Sequence, residues 1–480
     1  MNHQAWQEPL GRVVQGLLSI KSAAVRSLSY AVIATAALSI LWGGVTYFYC
    51  AFFELPAGGH FSSQLKAVLL SILVVALVCS PYFARHARAS TAKTGDAPRR
   101  FYSTGITTLK AICMIFVAVI HVGCHDVSAK YFVYRHLINQ AVPMMFVAMG
   151  VTGLAASKRY SLVDRFAGLL EAWYFYIVFN WAYRYFDGNS TDWRGKYTTE
   201  EHAKILLTSV LGWCPCLGGA WFVFPMLQIL LIIHVVNNYF GENKEWLIGF
   251  LTPIMIVFSC MPREVMSKYI YDMTDKWTNN LAMGCDIYSS VYTLMLWCRW
   301  VGYALAGMWF ATFHRHIKRW QWSVALFLGS LACSVAMDSV MNSSMERKPK
   351  HGLAEFFNYA SVITLTLASI IFFDHFQWFK AISWMGDCSW TFYLGQISIL
   401  NVVGDSCGMA AKFVEYSPTI TFVQLTFGLS WGFTWLMNGK KMRAKPSRSS
   451  ADAGQGGIEQ APLLQLSTSR GAPPQKRVEL

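Results

Sequence analysis

Charge is what this chain has least of. Only 14% of its 480 residues are Asp, Glu, Lys or Arg, about half of the roughly 25% found in a water-facing globular protein. A soluble architecture is excluded on that ground. A disordered chain, a coiled coil and a small secreted scaffold are excluded as well, because the apolar residues fall in blocks of about 20, the length that crosses a bilayer. Cysteine pairs are also missing. The 12 Cys are scattered, mostly inside apolar blocks, where a thiol behaves as a small hydrophobe. Cys214-Pro215-Cys216 lacks the two-residue spacer of a redox motif and has no companion pair with zinc spacing, so it reads as a structural loop. No internal repeat is visible. The formal net charge is +14, but the basic residues lie between apolar blocks and build no aromatic-interleaved groove, so nucleic acid is not an expected partner. Loop bias toward one side of a membrane explains the charge.

What the chain does have is 54% hydrophobic residues, with 19 Trp, 22 Tyr and 32 Phe and a mean hydropathy of +0.35. Helical blocks are predicted at about 28–53, 65–84, 107–123, 138–157, 166–186, 220–240, 245–260, 289–313, 322–341, 353–375, 389–405 and 418–437. The expected fold is all-α, a polytopic transmembrane helix bundle of about 12 spans. The first block is too long for a cleaved signal core and should stay in the protein. With the N-terminus inside, the inner segments hold 24 Lys and Arg against 12 in the outer ones, which places both termini in the cytoplasm of a cell or plasma membrane. Asn189-Ser190-Thr191 and Asn342-Ser343-Ser344, sequons for glycosylation, both fall outside. Three parts are expected: 1–106, two spans and a basic linker; 107–437, a ten-helix unit with 187–219 lying in water over the helices; and 438–480, a disordered cytoplasmic tail.

Ionisable groups inside apolar spans are few, and each needs a reason: Lys110, His121, Glu171, Arg184, His234, Arg299 and Asp338. Lys110 and His121 are eleven residues and about 16 Å of helix apart, Lys110 near the cytoplasm and His121 near the outer surface. An imidazole suits general base work near neutral pH; a boundary His snorkelling into water is the plainer alternative. His121, Cys124, His125 and Asp126 offer no third ligand with its own spacing, so no metal is expected. Lys158, Arg159 and Arg165 form an inner basic cluster, suited either to the phosphates of an anionic donor or to lipid headgroups. Arg299 has no charge neighbour in its own helix; Glu171 and Asp338 are the acids put forward to meet it, either as a structural ion pair or with Arg299 free for an oxyanion or phosphate.

The Lys110-to-His121 stretch resembles the opening signature of the membrane acyltransferase family 3, a basic residue, ten residues, then a His. Pro143 to Gly150 is similar to that family's Phe-Phe-x-x-Ser-Gly-Phe segment, with Met149 where Ser is usual. Ala220-Trp221-Phe222 resembles its Trp-Phe start of a later span. Met385 to Gln396 resembles its Ile-Gly-x-x-Ser-x-x-x-Tyr-Leu-x-His pattern, with Gln396 in place of the His. The resemblance covers about 105–437. It implies an O-acyltransferase that moves an acyl group, commonly acetyl, from cytoplasmic acyl-CoA to a hydroxyl of a cell-surface or secreted glycan or a lipid-linked sugar. His121 becomes the catalytic candidate, as base or as acyl carrier. Lys110, Lys158, Arg159, Arg165, Arg299, Trp221, Tyr393 and Gln396 become candidates for binding donor or acceptor. Acyl-CoA, the acceptor glycan and membrane lipid are the implied partners. A transporter or flippase for a lipid-linked sugar is the alternative, although paired broken helices and repeat symmetry, its usual marks, are not seen.

Overall fold

The computed structural model describes residues 24–41, 44, 103–121, 132–156, 162–186, 198–210, 222–240, 244–260, 287–313, 319–345, 347–377, 379 and 382–401, all within the compact unit Met1–Thr434. These residues are all-helical, with no strand among them. In chain order the helices are α1 (Ala24–Leu41), α2 (Thr104–His121), α3 (Phe132–His136) leading through a 3-10 turn at Ile138–Gln140 into α4 (Ala141–Ala156), α5 (Leu162–Phe186), α6 (Thr199–Val210), α7 (Val223–Tyr239), α8 (Lys244–Ser259), α9 (Ile287–Phe313), α10 (Trp320–Met341), α11 (Arg347–Phe376), α12 (Ser383–Asp387) and α13 (Ser389–Asn401).

Small residues set the closest contacts. In α4, the missing side chain of Gly150 admits the backbone of Ala304 in α9, and the missing side chain of Gly307 admits the backbone of Val147; a Cβ at either glycine would collide with a carbonyl. Apolar side chains gain nothing from leaving lipid, so helices in a membrane associate through this kind of close backbone packing. The same device joins α12 to α2, where Gly386 lies against the Thr107 carbonyl, and α2 to α11, where Gly105 lies against Ile370. The start of α2 is fixed twice over. Ser103 caps it, its Oγ accepting from the Ile106 N–H at 3.1 Å, and Asp374 of α11 accepts from Ser103 Oγ at 2.8 Å and from the Gly105 N–H at 2.7 Å. A carboxylate at a helix N-terminus also meets the positive end of the helix dipole.

α10 has its polarity inside out. Its buried residues are Ser323, Ser330 and Ser334, while Trp322, Phe327, Leu328, Leu331 and Val335 are exposed, Leu328 by 57%. Water would favour the reverse arrangement. The serines bond to α11: Ser323 donates to the Ala368 carbonyl at 2.8 Å, Ser330 to the Ser361 carbonyl at 3.0 Å, and the Ser334 and Ser361 hydroxyls meet at 2.8 Å. This is the pattern of a lipid-facing helix held to its neighbour by polar contacts. Among the described residues four stretches are long and apolar enough to cross a membrane: Ala24–Leu41, Phe132–Leu154, Trp320–Met341 and Lys350–Phe376. The protein is a helical, membrane-embedded one.

Several boundaries differ from the sequence reading. The segment 187–219 contains a helix, α6, whose His202 is buried at one edge. α11 begins at Arg347, six residues before the predicted block, because Arg347, Lys348 and Lys350 lower hydropathy while Pro349 falls in the first turn, where a helix tolerates it. The predicted 389–405 helix is preceded by the short α12, and Cys388 forms the turn between the two. The blocks 65–84 and 418–437, the linker 85–102 and the tail 438–480 lie outside the described residues, so the count of 12 spans extends beyond them.

Candidate functional site

A cavity of about 240 Å³ opens between five helices. α4 supplies Val142, Met145, Phe146, Met149 and Thr152; α7 and the residue before it supply Phe222, Met226 and Leu230; α5 supplies Leu169; α13 supplies Ser389, Trp390 and Tyr393; and α2 supplies Lys110, the one formal charge in the lining. Aromatic contacts fix the walls. The Phe222 ring meets Tyr393 edge-on at 4.4 Å and Phe146 at 6.5 Å, and Phe146 stacks on Trp300 at 5.5 Å. Trp390 is locked by its indole N–H, which donates to the Leu169 carbonyl at 2.9 Å.

Lys110 and Ser389 both line the cavity. Gly386 rests on the Thr107 carbonyl; Lys110 is one turn further along α2, and Ser389 follows Gly386 by three residues. Asp387 is close enough to act electrostatically on the Lys110 ammonium. The Gly of the Met385-to-Gln396 motif therefore has a packing role, seating the start of that motif on α2. Ser389, Tyr393 and Gln396 share one stripe of α13 by their spacing of four and three. Gln396 is fully buried, and neither atom of its amide has a hydrogen-bond partner. A buried amide in that condition is uncommon.

The other candidates fall elsewhere. His121 is the last residue of α2, three turns beyond Lys110. Arg165 stands in the first turns of α5, one turn before the cavity residue Leu169, and is half-buried. Lys158, Arg159 and Trp221 lie outside the described residues, as does His125. Arg299 is not in the cavity wall. The acid that meets it is Glu355 of α11, Nη2 to Oε1 at 2.7 Å, in place of the Glu171 or Asp338 put forward from sequence. Its guanidinium lies 5.5 Å from the Trp300 ring centre, and its backbone carbonyl accepts the Tyr359 hydroxyl, whose ring stacks on Tyr303 at 3.8 Å. Arg299 thus joins α9 to α11. The loss of one partner should cost about 1–3 kcal/mol, less than the 3–5 of a fully buried pair, because the two side chains are 33% and 27% exposed. Arg299→Met and Glu355→Met are each expected to lower the melting temperature, and the double variant to recover most of the loss. Additive losses in a double-mutant cycle would show that the two side chains do not act as a pair.

Asp338 belongs to a second cluster that sequence reading did not find. It accepts from Arg135 at 2.8 Å and faces His136 Nε2 at 3.1 Å; His136 is buried under the ring of Phe132, and its Nδ1 has no partner. This ties α3 to the end of α10. Arg135 and His136 escaped notice because they precede the apolar block that begins near 138. Met226, Leu230 and Leu169 are further cavity residues without a sequence signal, since an apolar residue in an apolar span looks the same whether it faces a void, a helix or lipid. Among the described residues no group of three His, Cys, Asp or Glu side chains is placed to hold a metal. No family model, curated protein or solved structure matches this chain.

Proposed function

We propose that the protein is an integral membrane O-acyltransferase, carrying an acyl group from cytoplasmic acyl-CoA to a hydroxyl of a cell-surface or secreted polysaccharide or lipid-linked sugar, with both termini in the cytoplasm. The observation that supports this reading is the cavity. Motif residues far apart in sequence, Lys110, Met149, Phe222, Ser389 and Tyr393, line one space. Phe222 continues the Trp221 motif, so four of the motifs that carry the family resemblance each contribute a residue to that lining.

In the reaction, His121 takes the proton of the acceptor hydroxyl as its oxygen attacks the thioester carbonyl. The new C–O bond forms, the C–S bond breaks, and the thiolate leaves with a proton returned from the imidazolium. Lys110, three turns earlier in the same helix, holds the donor by charge. The inner cluster Lys158, Arg159 and Arg165 binds its phosphates. Acetyl is the acyl group that the resemblance implies.

The test is acyl incorporation from radiolabelled acyl-CoA by membranes carrying the protein, together with mass spectrometry of surface glycans with and without the gene. A glycan mass increment that depends on the gene is expected. Movement of an unmodified lipid-linked sugar across the bilayer, without an increment, would instead establish a flippase. Changing Lys158, Arg159 and Arg165 together to Gln should raise the KM for acyl-CoA by about tenfold or more, since a hydrogen bond to a charged group contributes about 1.5–3 kcal/mol. An unchanged KM would leave that loop with orientation in the membrane as its only role.

A further inference from the structure

The cavity holds more than an acetyl group can use. An apolar cavity of about 150 Å³ is enough for the six carbons of benzene, and this one measures about 240 Å³. We propose that it is a chain pocket for a linear acyl group of about six to ten carbons; the proposal rests on the acyltransferase reading and names its donor class.

The lining selects a hydrocarbon chain over a sugar. Met145, Phe146, Met149, Met226 and Leu230 belong to its lining, and three of these five are methionines, unbranched and flexible enough to follow a linear chain. The α4 residues that face the space run from Val142 to Thr152, about 15 Å of helix, which makes the pocket long in one direction. A sugar ring would bring several hydroxyls into this wall, each expensive to bury without a partner. Few partners exist there. The Thr152 hydroxyl already donates to the Ala148 and Met149 carbonyls, at 3.1 Å each. A two-carbon acetyl group would leave most of the wall without contacts, and an unfilled wall forfeits dispersion attraction.

A hydrocarbon chain with a polar head also describes a free fatty acid or a bilayer lipid, so the experiment separates those sources. Binding of radiolabelled octanoyl-CoA to the full-length protein in lipid nanodiscs is measured in competition with acetyl-CoA, CoA and octanoate. Octanoyl-CoA should bind at least tenfold more tightly than acetyl-CoA, CoA should compete with both, and octanoate should compete at least tenfold more weakly than octanoyl-CoA. In Met149→Trp and Met226→Trp, each checked for a monodisperse gel-filtration peak, the octanoyl-to-acetyl preference should fall at least tenfold. Met145→Leu keeps the volume and should retain the preference, so a general loss of fold is told apart from a filled pocket. Equal affinity for octanoyl-CoA and acetyl-CoA, both displaced by CoA, would overturn the chain pocket while leaving the acyltransferase reading intact. Octanoate competing as well as octanoyl-CoA, with CoA without effect, would assign the cavity to a free chain or lipid and would remove the donor assignment. No binding by any of them would overturn the pocket outright.

Discussion

His121→Ala should lower acyl transfer by about 10²–10⁴-fold, the range that general base catalysis contributes, while expression, detergent extraction and melting behaviour stay close to wild type. The size of the effect follows from the chemistry. Without a base, the acceptor hydroxyl must attack with its proton in place, and no neighbouring group of the right basicity is available on α2, whose only other ionisable side chains are Lys110 and Cys113. A small effect on folding is expected of a residue that ends its helix. His125→Ala is the control, being one turn further along the sequence with the same side chain, and should lose little. Activity above roughly a tenth in His121→Ala, set against the usual range for a general base, would remove the catalytic assignment. Equal losses in both variants would point to a shared structural or metal-binding role.

The second large effect is expected where α4 crosses α9. Gly150→Val and Gly307→Val each drive a side chain into the backbone of the opposite helix, at Ala304 and Val147 respectively. Overpacking against side chains costs typically 1–3 kcal/mol because they can move aside; a helical backbone carbonyl cannot, so each variant should exceed about 3 kcal/mol. For a membrane protein this would read out as loss of the monodisperse peak after detergent extraction. Gly329→Ala on α10 is the counter-example. A Cβ there meets nothing within 4 Å, and the gain in helix propensity should leave stability equal or slightly raised, by about 0.4–1 kcal/mol. If Gly150→Val extracts and melts like wild type, the crossing is not as close as described.

The class of fold was legible because hydropathy reports directly on the environment of a long helix. The blocks near 166–186, 245–260, 289–313 and 322–341 match α5, α8, α9 and α10 to within a few residues. What escaped was whatever hydropathy does not encode. Arg347 to Lys350 hid the start of α11, and Glu355, just inside the predicted span, went unnoticed as a charge even though it holds Arg299. The break at Cys388 was invisible because Asp387, Cys388 and Ser389 interrupt neither composition nor propensity strongly. For the site, the motifs pointed to Lys110 and Tyr393, and both face the cavity. Spacing along the chain could not show that Gly386 seats the start of its motif on α2, because a close approach depends on a residue from another helix, Thr107. Nor could it separate Met226, which faces the void, from Phe327, which faces outward.

The serine seam between α10 and α11 has a consequence for motion. Hydrogen bonds between membrane helices contribute on average only about 0.6 kcal/mol each, since a serine that loses its neighbour can turn its hydroxyl back onto its own helix. α10 otherwise presents apolar side chains to hydrocarbon and buries few of them. Its polar bonds to α11 are therefore individually weak, and its departure from α11 would expose no charge, apart from Asp338 near its end, where Arg135 and His136 grip it. That grip makes the far end of α10 a fixed pivot and the Trp320 end the free one. A swing of α10 about Asp338 would open a lateral gap beside α11 on the side where the acid Asp374 holds the start of α2.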